Sequence, residues 1–384
     1  MKKSTFNAFL FALVISMTVY IDGFLAIAHA ITKAGQYNPA IAIIVTIAVV
    51  AVFLIMRRFP VWLVGVLFLA FILMAILSVR DESDLDKLFR DYIYLILLVT
   101  AFEVVKGALR GGIVDLRIFA RWLGLLVLLL FPILGVISGI KGYDNRFAGF
   151  TLSPPIFANA ALLAYLIARN ARLGWMWTFI FFIASVACIV LSGTRSPLVT
   201  LVLYEMFLFG TGELASRNRG IYYILLALGI AVISLVLFDL YTTITIGHSS
   251  SRIFSSEDSD GGSLQTRSAW YLLILNGLRD SFFIGGYGAG AAERLTGFIT
   301  HFDILRYWYD YSVFYVGIFF FILWKAFRCN VTDRGSHTTP YRIFIFPFVC
   351  ISTILMSMHN IFQSPGMIVI FAGYLNCSNI RKGR

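Results

Sequence analysis

At 384 residues, with 59% hydrophobic and only 13% charged side chains, the chain lies well outside the composition of soluble globular proteins, in which about a quarter of residues are charged. Its net charge of +11 does not point to a nucleic-acid partner, because in a chain built of apolar runs the placement of basic residues sets membrane orientation. The four cysteines lie within or beside apolar runs and form no CxxC pair, so neither a zinc site nor a disulfide framework is supported.

Apolar runs of about 17–24 residues recur from end to end, the length that crosses a hydrocarbon core as helix. The predicted fold is an all-α integral membrane protein of about 12 transmembrane helices, a single polytopic domain over 1–384. The spans are drawn at 6–28, 38–56, 60–78, 92–109, 119–139, 156–168, 174–192, 197–212, 220–241, 304–327, 343–358 and 365–380. The first run contains Asp22, is too long for a signal-peptide core and lacks a small-residue cleavage site, so it is read as a retained span. Spans six, eight and twelve open at Pro154-Pro155, Pro197 and Pro365, where proline costs no needed donor.

With the N-terminus inside, most of the 31 lysines and arginines fall on cytoplasmic joints, among them Arg57, Arg58, Lys106, Arg110, Arg117, Arg121, Arg169, Arg172 and Lys325. The acidic run Asp81, Glu82, Asp84, Asp86 and Asp91 falls on the outer side. Both termini are then cytoplasmic and the polar 242–303 segment, between spans nine and ten, becomes a long periplasmic loop. A long structureless loop in a compact protein is uncommon and usually functional. ATP and nucleotide-sugars are confined to the other side, so a reaction on this face runs on a substrate already activated in the membrane.

Several residues of this face carry chemistry. Arg195 sits in the turn Ser192-Gly193-Thr194-Arg195 between spans seven and eight. A guanidinium near membrane depth is expensive unless it meets an anion, and its fork of donors suits a diphosphate; the plain alternative is a snorkelling residue or a structural ion pair. Arg267 precedes Trp270 and Tyr271 in a segment that reads as a helix lying in the outer interface. His301 stands at the loop's return, with Asp303 two residues on; an imidazole there is suited to take a proton from a hydroxyl, or simply caps a helix. His359-Asn360 is the rival histidine, without a neighbouring acid or arginine, and His248 among serines reads as a solvated loop residue. The run Gly285 to Gly290 lacks the Lys-Ser/Thr of a phosphate loop, so it is read as a turn allowing close backbone approach. Within spans, Asp22, Glu103 and Glu205 are expected to be buried against partners.

In this order and on one side, these motifs resemble those of the O-antigen polymerase and O-antigen ligase superfamily of bacterial envelope glycosyltransferases. The resemblance rests on Ser192-Gly193-Thr194-Arg195, Arg267 ahead of Trp270, Gly286 and Gly288, His301, and Arg146-Phe147-Ala148-Gly149 before Pro154-Pro155. It covers roughly residues 140–320. One departure is that Phe302 follows His301 where the family often has Asn, while an intact His-Asn stands at His359-Asn360. The resemblance implies a GT-C-like fold in the bacterial inner membrane with a periplasmic active site. The donor would be an oligosaccharide linked to undecaprenyl diphosphate. Arg195 and Arg267 would bind the diphosphate, with Arg146, Gly286 and Gly288 contacting substrate and His301 and Asp303 catalytic. No metal or other cofactor is implied; the bilayer and a chain-length regulator protein are the expected partners, and nucleic acid is not. Polymerase is preferred over ligase because the motifs depart from the ligase-like His-Asn pattern. A lipid-linked oligosaccharide transporter is the alternative from another class, for which related halves and discontinuous midplane helices would be expected.

Overall fold

The computed structural model describes residues 3–32, 61–78, 84–139, 147–151, 153–210, 264–297, 303–331 and 364–377. The described residues form helices: α1 (Lys3–Thr32), α2 (Val61–Ser78), α3 (Leu85–Arg110), α4 (Leu116–Ile137), α5 (Pro154–Asn170), α6 (Trp175–Ser192), α7 (Arg195–Gly210), α8 (Leu264–Asp280), α9 (Ala291–Thr296), α10 (Asp303–Tyr311), α11 (Val313–Val331) and α12 (Pro365–Cys377). Among them Lys87–Leu109, Leu116–Ile137 and Trp175–Ser192 are long and apolar enough to cross a membrane. Shorter apolar stretches lie in α1, α2, α7, α11 and α12. The protein is thus helical with transmembrane character. The spans drawn at 38–56, 220–241 and 343–358 fall outside the described residues.

Two helices form the centre. α5 is buried along nearly its whole length, and its alanines at 158, 160, 161, 164 and 168 let neighbouring backbones come close. α12 packs between α1, α3 and α5. Gly366 makes this crossing possible, since a Cβ there would stand 2.3 Å from the Thr18 carbonyl oxygen.

Named contacts fix the direction of each helix. Asn7 meets Ile113 and Tyr20 meets Val127, so α1 and α4 run the same way. Gly366 abuts Thr18 while Asn376 bonds the Phe102 carbonyl, so α12 runs against α1 and with α3. α6 runs with α4, through Arg121 over Trp177 and Cys188 beside Leu128, and against α5, through Ser185 and Ala161. α5 and α7 bring Arg169 and Glu205 together near their C-termini. One end of the bundle therefore collects the starts of α3, α5, α7 and α12 and the ends of α4 and α6.

α4 carries a local irregularity with an identifiable cause. Pro132 has no N–H to give the Leu128 carbonyl, and the turn before it widens to π geometry, with Phe131 N–H bonded to Leu126. The released carbonyls find other donors. The Tyr20 hydroxyl donates to Val127 at 3.0 Å, and the Cys188 thiol points at Leu128. Two of the ionisable residues expected to be paired within spans are paired: Glu103 with Lys106 at 3.0 Å, and Glu205 with the Tyr165 hydroxyl and Arg169.

Within the described part of the polar 242–303 segment, Leu264–Asp280 and Ala291–Thr296 are helical, joined by a hydrogen-bonded turn and the glycine run. Trp270, Ile274 and Leu278 recur every fourth residue on the buried face of α8. Ile274 and Leu278 form a small core with Ala291, Ala292, Leu305 and Tyr309, separate from the core of the bundle.

Candidate functional site

The continuous helix expected over 304–327 is broken. Ser312 takes a left-handed backbone (φ 85°) and divides α10 from α11. The break releases carbonyls that a continuous helix would use, and the glycine run occupies them. Gly286 and Tyr287 N–H groups donate to the Tyr309 carbonyl at 2.8 and 3.0 Å, and Gly288 N–H donates to Asp310 at 2.9 Å. In return Val313 N–H donates to the Ile284 carbonyl at 2.9 Å. These bonds offset the cost of a left-handed serine, about 1–2 kcal/mol. Glycine is required here: Gly285, Gly286 and Gly288 have φ of 72°, 90° and 96°, and a Cβ on Gly285 would stand 2.1 Å from the Trp308 carbonyl oxygen. The close approach anticipated for Gly286 and Gly288 is thus made to the chain's own backbone, which engages both N–H groups.

Behind this junction lies a buried ionic cluster. Arg306 on α10 is 1% exposed and Asp91 in the second turn of α3 is fully buried, with Nη2 and Oδ1 3.3 Å apart. Glu293 on α9 stands 3.8 Å from Nη1 of Arg306, and Asp303 stands 4.0 Å from Nη2. Glu293 also pairs with Lys87 of α3. The Tyr311 hydroxyl donates to Asp91 Oδ2 at 3.0 Å, and the Arg306 guanidinium lies 4.5 Å over the Tyr307 ring. Asp84 joins the loop through its backbone N–H, which donates to Ala289 at 3.2 Å. Asp84 and the first two turns of α3 are therefore packed together with helices α9 and α10 and the glycine run at one end of the bundle.

Burial works against the charge of Arg306, but the carboxylates of Asp91, Asp303 and Asp310 outweigh it and hold the guanidinium protonated. Asp310 is the opposite case. Burial pushes its carboxyl up to about 7, against the pull of Arg306 and of the Ala292 N–H, which donates to Oδ1 at 2.8 Å. Among the described residues its Oδ2 is buried with no hydrogen-bond partner.

Of the residues singled out in sequence, Asp303 is the fully buried first residue of α10, turned to Arg306. Arg195 is the first residue of α7, after Gly193 in the left-handed conformation (φ 64°) and a Ser192–Thr194 hydroxyl contact at 3.1 Å. Arg267 lies in the first turn of α8. The side chains of Arg195 and Arg267 are outside the described residues, as are His301, His359, His248 and Arg146. The cluster itself escaped sequence reasoning. The available signal was Arg306 and Asp310, four apart on a strongly amphipathic segment, together with the acid-rich sequence that leads into α3.

Among the described residues, no group of three or more His, Cys, Asp or Glu side chains is arranged to hold a metal ion. No family model, curated protein or solved structure matches the chain.

Proposed function

We propose that this chain is a polysaccharide polymerase of the O-antigen polymerase and ligase kind. It would transfer a glycan from undecaprenyl diphosphate to a hydroxyl of another lipid-linked repeat unit, at the periplasmic face of the inner membrane. The observation that carries the reading is spatial. The helix that opens at Arg195 begins at the same end of the bundle as the joint before α3, and that joint holds the α8–α10 region in which Arg267 and Asp303 lie. This shared end supports a reading in which residues far apart in sequence, each suited to one part of the reaction, act together.

In this reading the acceptor hydroxyl attacks the anomeric carbon and the bond from that carbon to the diphosphate oxygen breaks, inverting the centre. The hydroxyl proton passes to His301, and undecaprenyl diphosphate leaves. Arg195 and Arg267 offset the charge that grows on the departing diphosphate. Asp303, held by the Arg306 cluster, anchors the return segment that carries His301.

The test is glycan elongation in membranes bearing Arg195→Ala, Arg267→Ala or His301→Ala. Loss of an electrostatic stabiliser costs about 100- to 1000-fold in rate, and wild-type elongation by both arginine variants would end the proposal. His359-Asn360 favours the ligase reading, and a gel of knockout lipopolysaccharide separates the two. One repeat on the core marks loss of a polymerase; bare core with accumulated lipid-linked polymer marks loss of a ligase. Elongation by purified protein in detergent, with no gradient, excludes a transporter.

A further inference from the structure

Directly after α8, two consecutive bulky residues, Phe282 and Phe283, hold left-handed backbone with φ of 52° and 61°. Glycine is the usual occupant of such positions, and a larger residue there costs about 1–2 kcal/mol. The turn is firmly bonded. Phe283 N–H donates to Leu278 at 2.7 Å, Phe282 N–H to Arg279 at 3.0 Å and Ile284 N–H to Ser281 at 3.0 Å. Its effect is to turn apolar side chains outward: Phe282 is 89% exposed, and Phe283 and Ile284 are each about half exposed.

The tip does not stand alone. The Trp308 indole N–H donates to the Phe283 carbonyl at 2.7 Å, and Val313, the first residue of α11, donates to Ile284. Val313 and Phe314 are themselves exposed, so the patch continues onto α11, where Phe314, Phe321 and Trp324 form an outward stripe. Tyr315, Phe319, Ile322 and Leu323 turn inward. The apolar stretch of α11, Val313–Lys325, covers about 20 Å at 1.5 Å per residue, most of the roughly 30 Å of a bilayer core. The tip is bonded to the first turn of that helix, where its apolar stretch begins. Arg279 and Asp280, both exposed, immediately precede it and provide a polar rim.

We propose that Phe282, Phe283 and Ile284 form a lipid-seated wedge, inserted among the acyl chains of the leaflet in which α11 begins. Continuity with the outward stripe of α11 selects lipid as the occupant over a protein partner. The wedge ties the end of α8 to the bilayer independently of any reaction the protein performs.

The experiment uses the full chain in lipid bilayers, with Cys188→Ala, Cys329→Ala, Cys350→Ala and Cys377→Ala as background. Phe282→Cys is compared with Asn276→Cys, an exposed polar position near the end of α8 that serves as the accessible reference. A membrane-impermeant maleimide should label Phe282→Cys severalfold more slowly than Asn276→Cys in bilayers, and at a similar rate after detergent extraction. A fluorophore at position 282, but not at 276, should be quenched by lipids brominated on the acyl chain. Equal labelling in bilayers, or protection without quenching by brominated chains, would overturn the proposal; the second result would mean that protein covers the tip.

Discussion

Replacing Arg306 by methionine tests whether the buried cluster fastens the α8–α10 region to the bundle. The substitution keeps much of the side-chain volume and removes the cation. At an effective dielectric of about 20, unit charges 3.3 Å apart attract by about 5 kcal/mol, which is offset by several kcal/mol of desolvation for each ion. The net worth of the pair is therefore small, but the cost of breaking it is not. Without Arg306, the fully buried carboxylates of Asp91 and Asp303 lose the cation they share, and Arg90, with Nε 3.5 Å from Asp91 Oδ1, compensates Asp91 only in part; removal of one partner of a buried pair costs up to about 3–5 kcal/mol. Asp91→Asn should be milder, about 1.5–3 kcal/mol, the range for a hydrogen bond to a charged group. Asparagine can still accept from Tyr311, and Arg306 keeps Glu293 and Asp303 within 4.0 Å. The double variant should lose less than the sum, with a coupling of about 1 kcal/mol or more. The assay is unfolding of purified protein in mixed micelles titrated with dodecyl sulfate, followed by circular dichroism, with limited proteolysis of the 264–311 region alongside. An Arg306→Met effect within about 0.5 kcal/mol, the range of ordinary surface substitutions, or strict additivity, would refute the reasoning.

Three further outcomes follow from the geometry. Asp310 holds a proton in the folded protein up to about pH 7 that the unfolded chain sheds near 4, so its contribution to stability is complete below that lower value and is lost as pH rises to about 7. Asp310→Asn, which keeps an acceptor for Ala292, should flatten that decline in thermal melts across this range; an unchanged slope counts against the assignment. Gly285→Ala places a Cβ against the Trp308 carbonyl at a left-handed position and should undock the glycine run, seen as faster hydrogen exchange at Gly286 and Gly288. Gly366→Ala drives a Cβ into the backbone of α1 and should cost about 1–3 kcal/mol, the usual penalty for overpacking, measured by the same micellar titration.

Much of the bundle was legible because its signals are local. Pro154-Pro155 fixed the start of α5 to within two residues of the drawn limit, and the apolar run before Gly193 gave α6. The break at Ser312 was not legible. No glycine or proline interrupts that stretch, and the donors that open the helix come from a segment some twenty residues earlier in the chain. The Asp91–Arg306 pair joins residues 215 apart, and nothing in a linear pattern distinguishes Asp91 from the other acids of its joint. Pro132 did carry a readable cue for the widened turn in α4, since a proline within an apolar run frees a carbonyl wherever it falls.

The two kinds of contact that hold the α8–α10 region have different consequences for a site there. Its small apolar core around Ile274, Leu278 and Leu305 gives cohesion, but apolar burial is non-directional and does not by itself fix how α10 sits against α3. The register comes from polar contacts, each with a defined geometry: Asp84 to Ala289, Lys87 to Glu293, Asp91 to Arg306 and Tyr311. A catalytic group misplaced by about 1 Å can lose about 100-fold in rate. In the proposed reaction, a return segment bearing His301 needs positional precision more than added stability. A directional cluster at the start of α10 provides it, so Asp91→Asn should lower the rate of glycan transfer by more than its modest effect on unfolding would account for.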